Sequence, residues 1–352
     1  MNPWTGHRQV KISVNLLDYK DQVKARLDGV TGGSVEFTQN TRLRGSGQLE
    51  LLDRGQDIDF LKDRVQIKYE LYSGESIPLG VWLLSAPTMS TDGQVRKWKV
   101  DLLSKLAILD EDCVESAYSV AAGTPIIETV KQLIESTGET RLAVTEPSGG
   151  ALLASGNMVW EAGTPKLTVI NALLESINYW SLWVDGGGQF RVEPYVRPVA
   201  RPIRWSFEKG SASIHVPSWQ RDQDTAGVPN KIILVSQSED ANAPSLTATA
   251  LNENPASPFC FQARGRWITH VETGVEASSQ KVLDELAQRR LIDRSSPVAN
   301  IMLQHLPVPI DPGDAVQFAR DETSVRAVVQ KWSMNLEPTA LAKTTVREVV
   351  DL

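Results

Sequence analysis

The side chains able to do covalent or metal chemistry are few and poorly spaced for it. The four histidines, His7, His215, His270 and His305, never stand at metal-ligand spacing, and no His-Glu-x-x-His pair occurs. His305 follows Ile301 and Leu303 on strand parity, which predicts a packed imidazole. Cys113 and Cys260 are the only cysteines. They are too few for a disulfide framework or a cysteine-rich zinc site, and read as two small buried or half-buried thiols. No Gly-x-Ser-x-Gly elbow and no Gly-x-x-x-x-Gly-Lys-Ser/Thr phosphate loop is present. Asp57 and Asp59, like Asp222 and Asp224, would share a face on a strand. Neither pair has the glycine and distal glutamate of a calcium loop, so both read as solvated turns. Among 43 acidic residues no pair stands out as the two carboxylates of a glycosidase. Most of the ten tryptophans, such as Trp82, Trp98, Trp183 and Trp332, sit in apolar alternation as core or interface residues do. Trp180 and Trp183 are expected on opposite faces of a strand. The basic clusters Arg96-Lys-Trp-Lys99 and Arg197, Arg201, Arg204 read as solvated faces. We expect no catalytic, cofactor-binding or metal-ligating residue, and no enzyme.

The totals narrow the class of protein. A net charge of −7 and a pI near 5.3 argue against a dedicated nucleic-acid binder, though not against a channel through which nucleic acid passes. At 352 residues, 41% of them apolar, the chain is expected to form two or three domains with sizeable cores. No run of about eighteen apolar residues would span a membrane. No secretory leader is apparent, so synthesis and folding in a cytosol are expected.

The elements that would position any site fall into three blocks. A phrase written twice organises the middle one: Gly123-Thr-Pro125 and Gly163-Thr-Pro165 each open a helical pattern. Thr124 and Thr164 are expected as N-caps and Pro125 and Pro165 as first helical residues. Ile126, Ile127, Val130, Leu133 and Ile134 follow helical spacing, as do Leu167, Ile170, Leu173, Leu174 and Ile177. Gly138 marks the end of the first helix. The hairpin Val184-Asp-Gly-Gly-Gly-Gln-Phe190 closes the block, and a connector with three prolines, Pro194 to Pro202, follows. Before it, about six short strands are expected, with hairpins at Ser73-Gly-Glu75 and Asp92-Gly93. After it come a strand at Lys231–Ser236, surface loops around Asp240–Pro244 and Asn252–Pro258, and a helix over about 278–294. That helix is capped by Ser278 or Ser279, with Val282, Leu283, Leu286, Ala287 and Leu291 inward. Asp284 and Glu285 precede Arg289 and Arg290, which suits an i,i+4 pair. Last comes a tight Pro-Gly-Asp turn ending at Asp314 and a ribbon in which Val328, Gln330, Trp332, Met334 and Leu336 alternate against Val325, Ala327 and Val329.

The order of these pieces resembles the tail hub, or baseplate hub, family of tailed bacteriophages, often described as minor tail proteins. The resemblance spans nearly the whole chain. It rests on Trp98-Lys-Val-Asp-Leu-Leu-Ser-Lys-Leu106, Val159-Trp-Glu-Ala-Gly-Thr-Pro165, Trp183-Val-Asp-Gly-Gly-Gly-Gln-Phe-Arg-Val192, Pro229-Asn-Lys-Ile-Ile-Leu-Val235, Asn254-Pro-Ala-Ser-Pro258 and Ile310-Asp-Pro-Gly-Asp-Ala-Val316, taken in sequence. It implies a mainly β fold with an α+β insert: tail-tube-like barrels over 1–112 and 195–352, joined by an inserted domain over 113–194. It further implies a structural homotrimer that caps a hexameric tail tube at the virion tail tip. Such a ring would line the DNA channel without specific binding and meet tail tube, distal tail, tape measure and tail-tip or fibre proteins. Any lysozyme-like or fibre domain would be a separate protein, with no membrane insertion and no cofactor. The insert is expected on the outer flank, holding the two barrels apart. The alternatives are a distal tail protein, usually hexameric, and a virion-associated cell-wall hydrolase or glycan-binding module.

Overall fold

A computed structural model describes the chain apart from residues 1, 148, 212, 223–226, 237–244, 278, 296–298 and 350–352. Seven strands come first: β1 (Val10–Leu17), β2 (Val23–Arg26), β3 (Val30–Thr38), β4 (Gly45–Leu52), β5 (Arg64–Leu71), β6 (Ser76–Asp92) and β7 (Val95–Ser104). They pair antiparallel in the order β3-β4-β7-β6-β5-β1-β2. Both expected hairpin bends are present, between β5 and β6 and between β6 and β7. Alternate apolar residues such as Val14, Leu16, Val65, Ile67 and Tyr69 turn inward, as a one-sided sheet requires.

The insert holds α1 (Leu106–Glu111), β8 (Tyr118–Val120), α2 (Ile126–Glu135), β9 (Leu142–Val144), β10 (Met158–Trp160), α3 (Lys166–Ser176), β11 (Trp183–Val184) and β12 (Phe190–Val192). The repeated phrase proves to be a repeated structure. Gly123 and Gly163 take the same left-handed φ, +84° and +85°, which glycine adopts without Cβ strain. The start of α2 is stitched to a neighbouring extended segment: Gly123 N to Ala154 O, Ala154 N to Thr124 O and Ile126 N to Leu152 O. The start of α3 repeats these bonds with the partners exchanged: Gly163 N to Val114 O, Val114 N to Thr164 O and Lys166 N to Asp112 O. With β8 antiparallel to β10, the two copies clasp each other about a local pseudo-two-fold. The expected threonine caps are not formed. Each proline itself occupies the N-cap position without a side-chain cap, because backbone carbonyls of the other copy already take the early N–H groups. The predicted inward faces are right: Ile126, Ile127, Val130, Leu133 and Ile134, and Leu167, Ile170, Leu173, Leu174 and Ile177, are all buried.

A 3-10 turn at Pro198–Ala200 breaks the proline connector. Beyond it lie β13 (Ile203–Glu208), β14 (His215–Asp222), β15 (Lys231–Ser236), β16 (Thr247–Leu251), α4 (Phe261–Arg264), β17 (Thr269–Val275), α5 (Gln280–Ser295), β18 (Asn300–His305), β19 (Ala315–Arg320), β20 (Thr323–Asn335) and β21 (Ala342–Glu348). This stretch builds two sheets. Strands β15, β16 and β17 form a small one under α5, cored by Ile232, Leu234, Leu283, Leu286 and Leu291. The others follow β14-β18-β21-β20, with β13 on β19 and β19 on β20. Ser279 caps α5, its Oγ accepting from Val282 N; Ser278 and the Asp240–Pro244 loop lie outside the described residues.

Strand β20 decides how the blocks meet. One edge pairs with β21, while the other is shared by β19 along Thr323–Val328 and β3 along Lys331–Asn335. The first and last β blocks are therefore one continuous sheet over one core, containing Val35, Phe37 and Trp82 together with Val329, Trp332 and Met334. The insert does not hold them apart. The expected parity of β20 also breaks. A bulge between Val329 and Lys331 adds a residue and swaps the faces. Ala327 and Val329 before it, and Trp332, Met334 and Leu336 after it, thus enter the same core.

The insert is fastened by a buried ionic ring. Asp21, in the β1–β2 turn, binds Arg64 Nη1 and Lys105 Nζ, each at 2.7 Å. Glu139, after α2, binds Arg64 Nη2 at 2.6 Å and Lys105 Nζ at 2.7 Å. Lys105 is fully buried, donates to Gly188 O at 3.1 Å and sits over the Phe190 ring. Burial alone would raise the Asp21 carboxyl; Lys105 and Arg64 outweigh it and hold it below the usual range.

His305 is packed as predicted, 1% exposed, between Leu306 O at 2.7 Å and Thr344 Oγ1 at 2.8 Å. Burial, and secondarily His215 and Arg8, lower its pKa to about 4. The fold keeps the imidazole neutral, whereas the unfolded chain takes up a proton near the ordinary value of about 6.5. Below that value the unfolded state binds more protons, so stability declines as pH falls towards about 4, by roughly 3 kcal/mol for this group. Urea unfolding of the native chain and His305→Gln at about pH 7 and about pH 4.5 should show a visibly smaller acid loss in the variant.

Candidate functional site

A cleft of about 580 Å³ lies where the sheet, the insert and the connector meet. The β3–β4 turn delivers Gln39 and Arg44, the latter at a φ of +56° that side chains seldom adopt. The insert supplies Trp180, Trp183, Asp185, Arg191 and Glu193, the connector Arg201, and β13 Arg204. The Pro-Gly-Asp turn supplies Asp311 and Asp314. That turn is tied at both ends: Asp311 N donates to Asp314 Oδ2 at 2.8 Å, Gly313 N to Val329 O at 2.8 Å and Val329 N to Asp314 O at 2.9 Å. Gly313, at φ +97°, is where the reversal needs a residue without Cβ.

One wall is an aromatic–arginine stack. Arg201 lies 4.6 Å and Arg289 4.9 Å from the Trp180 ring, and Arg289 also lies 4.5 Å from the ring of Tyr195. The two rings themselves meet at 4.8 Å. Arg201 donates to Val196 O and to Gly313 O, and Arg326 donates to Arg201 O. Burial pushes the Tyr195 phenol up to about 12 and lowers the Arg201 and Arg289 guanidiniums. The expected Glu285–Arg289 pairing is therefore replaced. Arg289 enters the stack and donates to Tyr179 O at 3.0 Å, and Arg290 bonds Glu175 and Glu272, tying α5 to the insert.

Three expectations are corrected here. Trp180 and Trp183 line the same cleft, because β11 is only two residues long and Trp180 precedes it. Arg201 is half-buried in the cleft wall rather than on a solvated face, while Arg204 lines the same cleft and stays exposed as expected. The Pro-Gly-Asp turn, which sequence treats as a bend, is the cleft floor. The arginine spacing and this turn were the only signals that pointed towards the site. Arg44 left none, because a lone arginine in a turn has no pattern. Among the described residues no group of three or more His, Cys, Asp or Glu could hold a metal. Cys113 is half-buried and Cys260 buried, both as free thiols; Cys260 Sγ accepts from Ala263 N at the start of α4.

The other exposed features are edges. All four residues of β2, at one end of the strand path, are exposed. The β6–β7 hairpin ends in an exposed arm with Met89 and Val95 outward. Unpaired strand edges of this kind are ready templates for another chain.

No family model and no curated protein sequence matches this chain. Solved structures do. A tail protein from Neisseria meningitidis MC58 superposes with a TM-score of 0.70 at 11% identity, over 96% of this chain and 97% of its own. The 43 kDa tail protein of prophage MuSo2 from Shewanella oneidensis gives 0.67 at 12% identity, over 96% and 98%. The fold is that of solved phage tail proteins. A third structure extends this tail-protein fold: the E. coli c3393 protein, described as a type VI secretion system component similar to T4 bacteriophage tail proteins gp27 and gp5. It gives 0.55 at 9% identity, over 97% of this chain and 77% of that one. The tail-protein fold accounts for the mainly β architecture with its α+β insert.

Proposed function

We propose that this chain is a structural tail protein acting as the hub: a homotrimeric, non-enzymatic ring at the virion tail tip that caps the hexameric tail tube. The observation that carries the reading is the two-way, near full-length match to solved tail proteins, which leaves almost none of either chain unaccounted for. In this reading residues 1–112 and 195–352 supply two tube-like β units per chain, so three chains present six, and residues 113–194 form the inserted domain. The exposed β2 edge and the β6–β7 arm are suited to neighbouring subunits, where pairing would cover unsatisfied backbone groups. The net charge of −7 suits a ring through which DNA slides, since like charge disfavours phosphate contacts. Tail tube, distal tail, tape measure and tail-tip or fibre proteins would be its partners, with assembly in the host cytoplasm.

Subunit counting tests this. Sedimentation or mass measurement of the purified chain is expected to give a trimer as concentration rises. A hexamer would favour a distal tail protein, and a persistent monomer would remove the hub reading. Zymography on host cell wall should give no clearing; lysis by this chain alone would establish the hydrolase alternative.

A further inference from the structure

Four arginines and four carboxylates line the cleft, yet their partners are unequally distributed. Three of the carboxylates are held by hydrogen bonds. Asp185 Oδ1 accepts from Gly187 N at 2.9 Å and Gln189 N at 3.0 Å, and Glu193 is bound by Arg191. Asp314 Oδ2 is held by Asp311 N. Asp311 is pushed up to about 7, first by burial and then by Asp314 and Asp185, so it takes up a proton as the pH falls through neutrality.

The cations are not matched in the same way. Among the described residues Arg44 has neither an ion-pair partner nor a hydrogen-bond acceptor for its guanidinium; its one charged influence is Arg289, of the same sign. Burial lowers it to about 10. Arg201 and Arg204 spend donors only on main-chain carbonyls, Arg201 on Val196 and Gly313 and Arg204 on Pro309. A guanidinium has five N–H donors in a fork that matches a carboxylate or phosphate. Holding one half-buried in a cleft without an anion is unfavourable. The fold nevertheless holds Arg44 there from a strained backbone position.

We propose that this cleft is an oxyanion-binding site, in which Arg44, assisted by Arg204 and the unused donors of Arg201, receives a carboxylate or phosphate group. Trp180 and Trp183 form its flat walls. The chemistry is that of a small anion or an acidic side chain seated end-on, within a protein whose overall charge is negative. The inference stands on the cleft and not on the subunit count, so a failed hub reading would leave it intact.

Calorimetric titration of the full chain with inorganic phosphate, and separately with succinate, tests it. Saturable binding of at least one probe is expected, with Arg44→Gln and Arg204→Gln each weakening it by about tenfold or more. Arg96→Gln, on the exposed part of β7, should bind as the native chain does. Preference for phosphate would assign a phosphate-bearing ligand, and preference for succinate a carboxylate. Should Arg44→Gln fail to fold, by circular dichroism, Arg204→Gln decides alone. Absence of saturable binding for both probes, or native affinity in the folded arginine variants, would overturn the site.

Discussion

Lys105→Met is expected to destabilise this protein by about 3–5 kcal/mol, the cost typical of removing one member of a buried ionic cluster. The reason lies in the geometry of the ring. Each of Asp21 and Glu139 is bound by both Lys105 and Arg64, in a region where Lys105 has no exposed surface, and the half-exposed Arg141 reaches Asp21 from outside at 3.5 Å. Without the ammonium, Glu139 keeps only Arg64, Asp21 keeps Arg64 and the longer contact to Arg141, and the Gly188 carbonyl loses its donor. Because Asp21 and Arg64 belong to the first β block and Glu139 and Gly188 to the insert, the loss should fall on their docking. Urea unfolding followed by tryptophan fluorescence should show an earlier midpoint and, if docking fails first, a separate early transition. The double variant Lys105→Met with Glu139→Gln should lose less than the sum of the two singles, since it removes one charge of each sign from the same contact. Strict additivity would mean the ring is not a coupled unit.

The second large effect is expected at the seam of the sheet. Trp332 is 6% exposed and stacks on Phe37 with centroids 4.8 Å apart at 29°, and Phe37 also meets Trp82 at 5.0 Å. Trp332→Ala would open a large cavity where β20 meets β3, at a cost of about 3–5 kcal/mol. The same strand holds β21 and β19, so the damage should reach both β blocks. Calorimetry should show a lower and broader transition. Trp332→Phe should be mild, below about 1.5 kcal/mol, because it keeps the ring and removes an indole N–H that has no acceptor. Equal losses in the two variants would count against a packing role.

Much of this architecture follows from local pattern. Period-two alternation found β1, β5 and β7, and helical spacing found α2, α3 and α5, because burial of one face imposes its rhythm on a contiguous stretch. The hairpins at Gly74 and Gly93 were legible because few residues accept the backbone geometry of a tight turn. The doubled Gly-Thr-Pro phrase marked a true structural duplication, although the caps inferred from it were wrong. A threonine at that position is a local invitation, and it lost to carbonyls brought from the other copy.

What the sequence determined by itself, then, was the three-block order, the kind of its strongly periodic elements, the packed state of His305, and the resemblance to a hub family; the tail-protein fold agrees with that resemblance. Tertiary structure alone decided the rest. The β20 bulge, the β3–β20 seam, the ionic ring and the convergence of Arg44, Trp180, Arg201 and Asp311 on one cleft all join residues far apart in the chain. The physical reason is range. Propensity and periodicity act over a few residues, whereas charge pairing in a dry interior, strand register and the emptiness around Arg44 depend on which distant segments pack together.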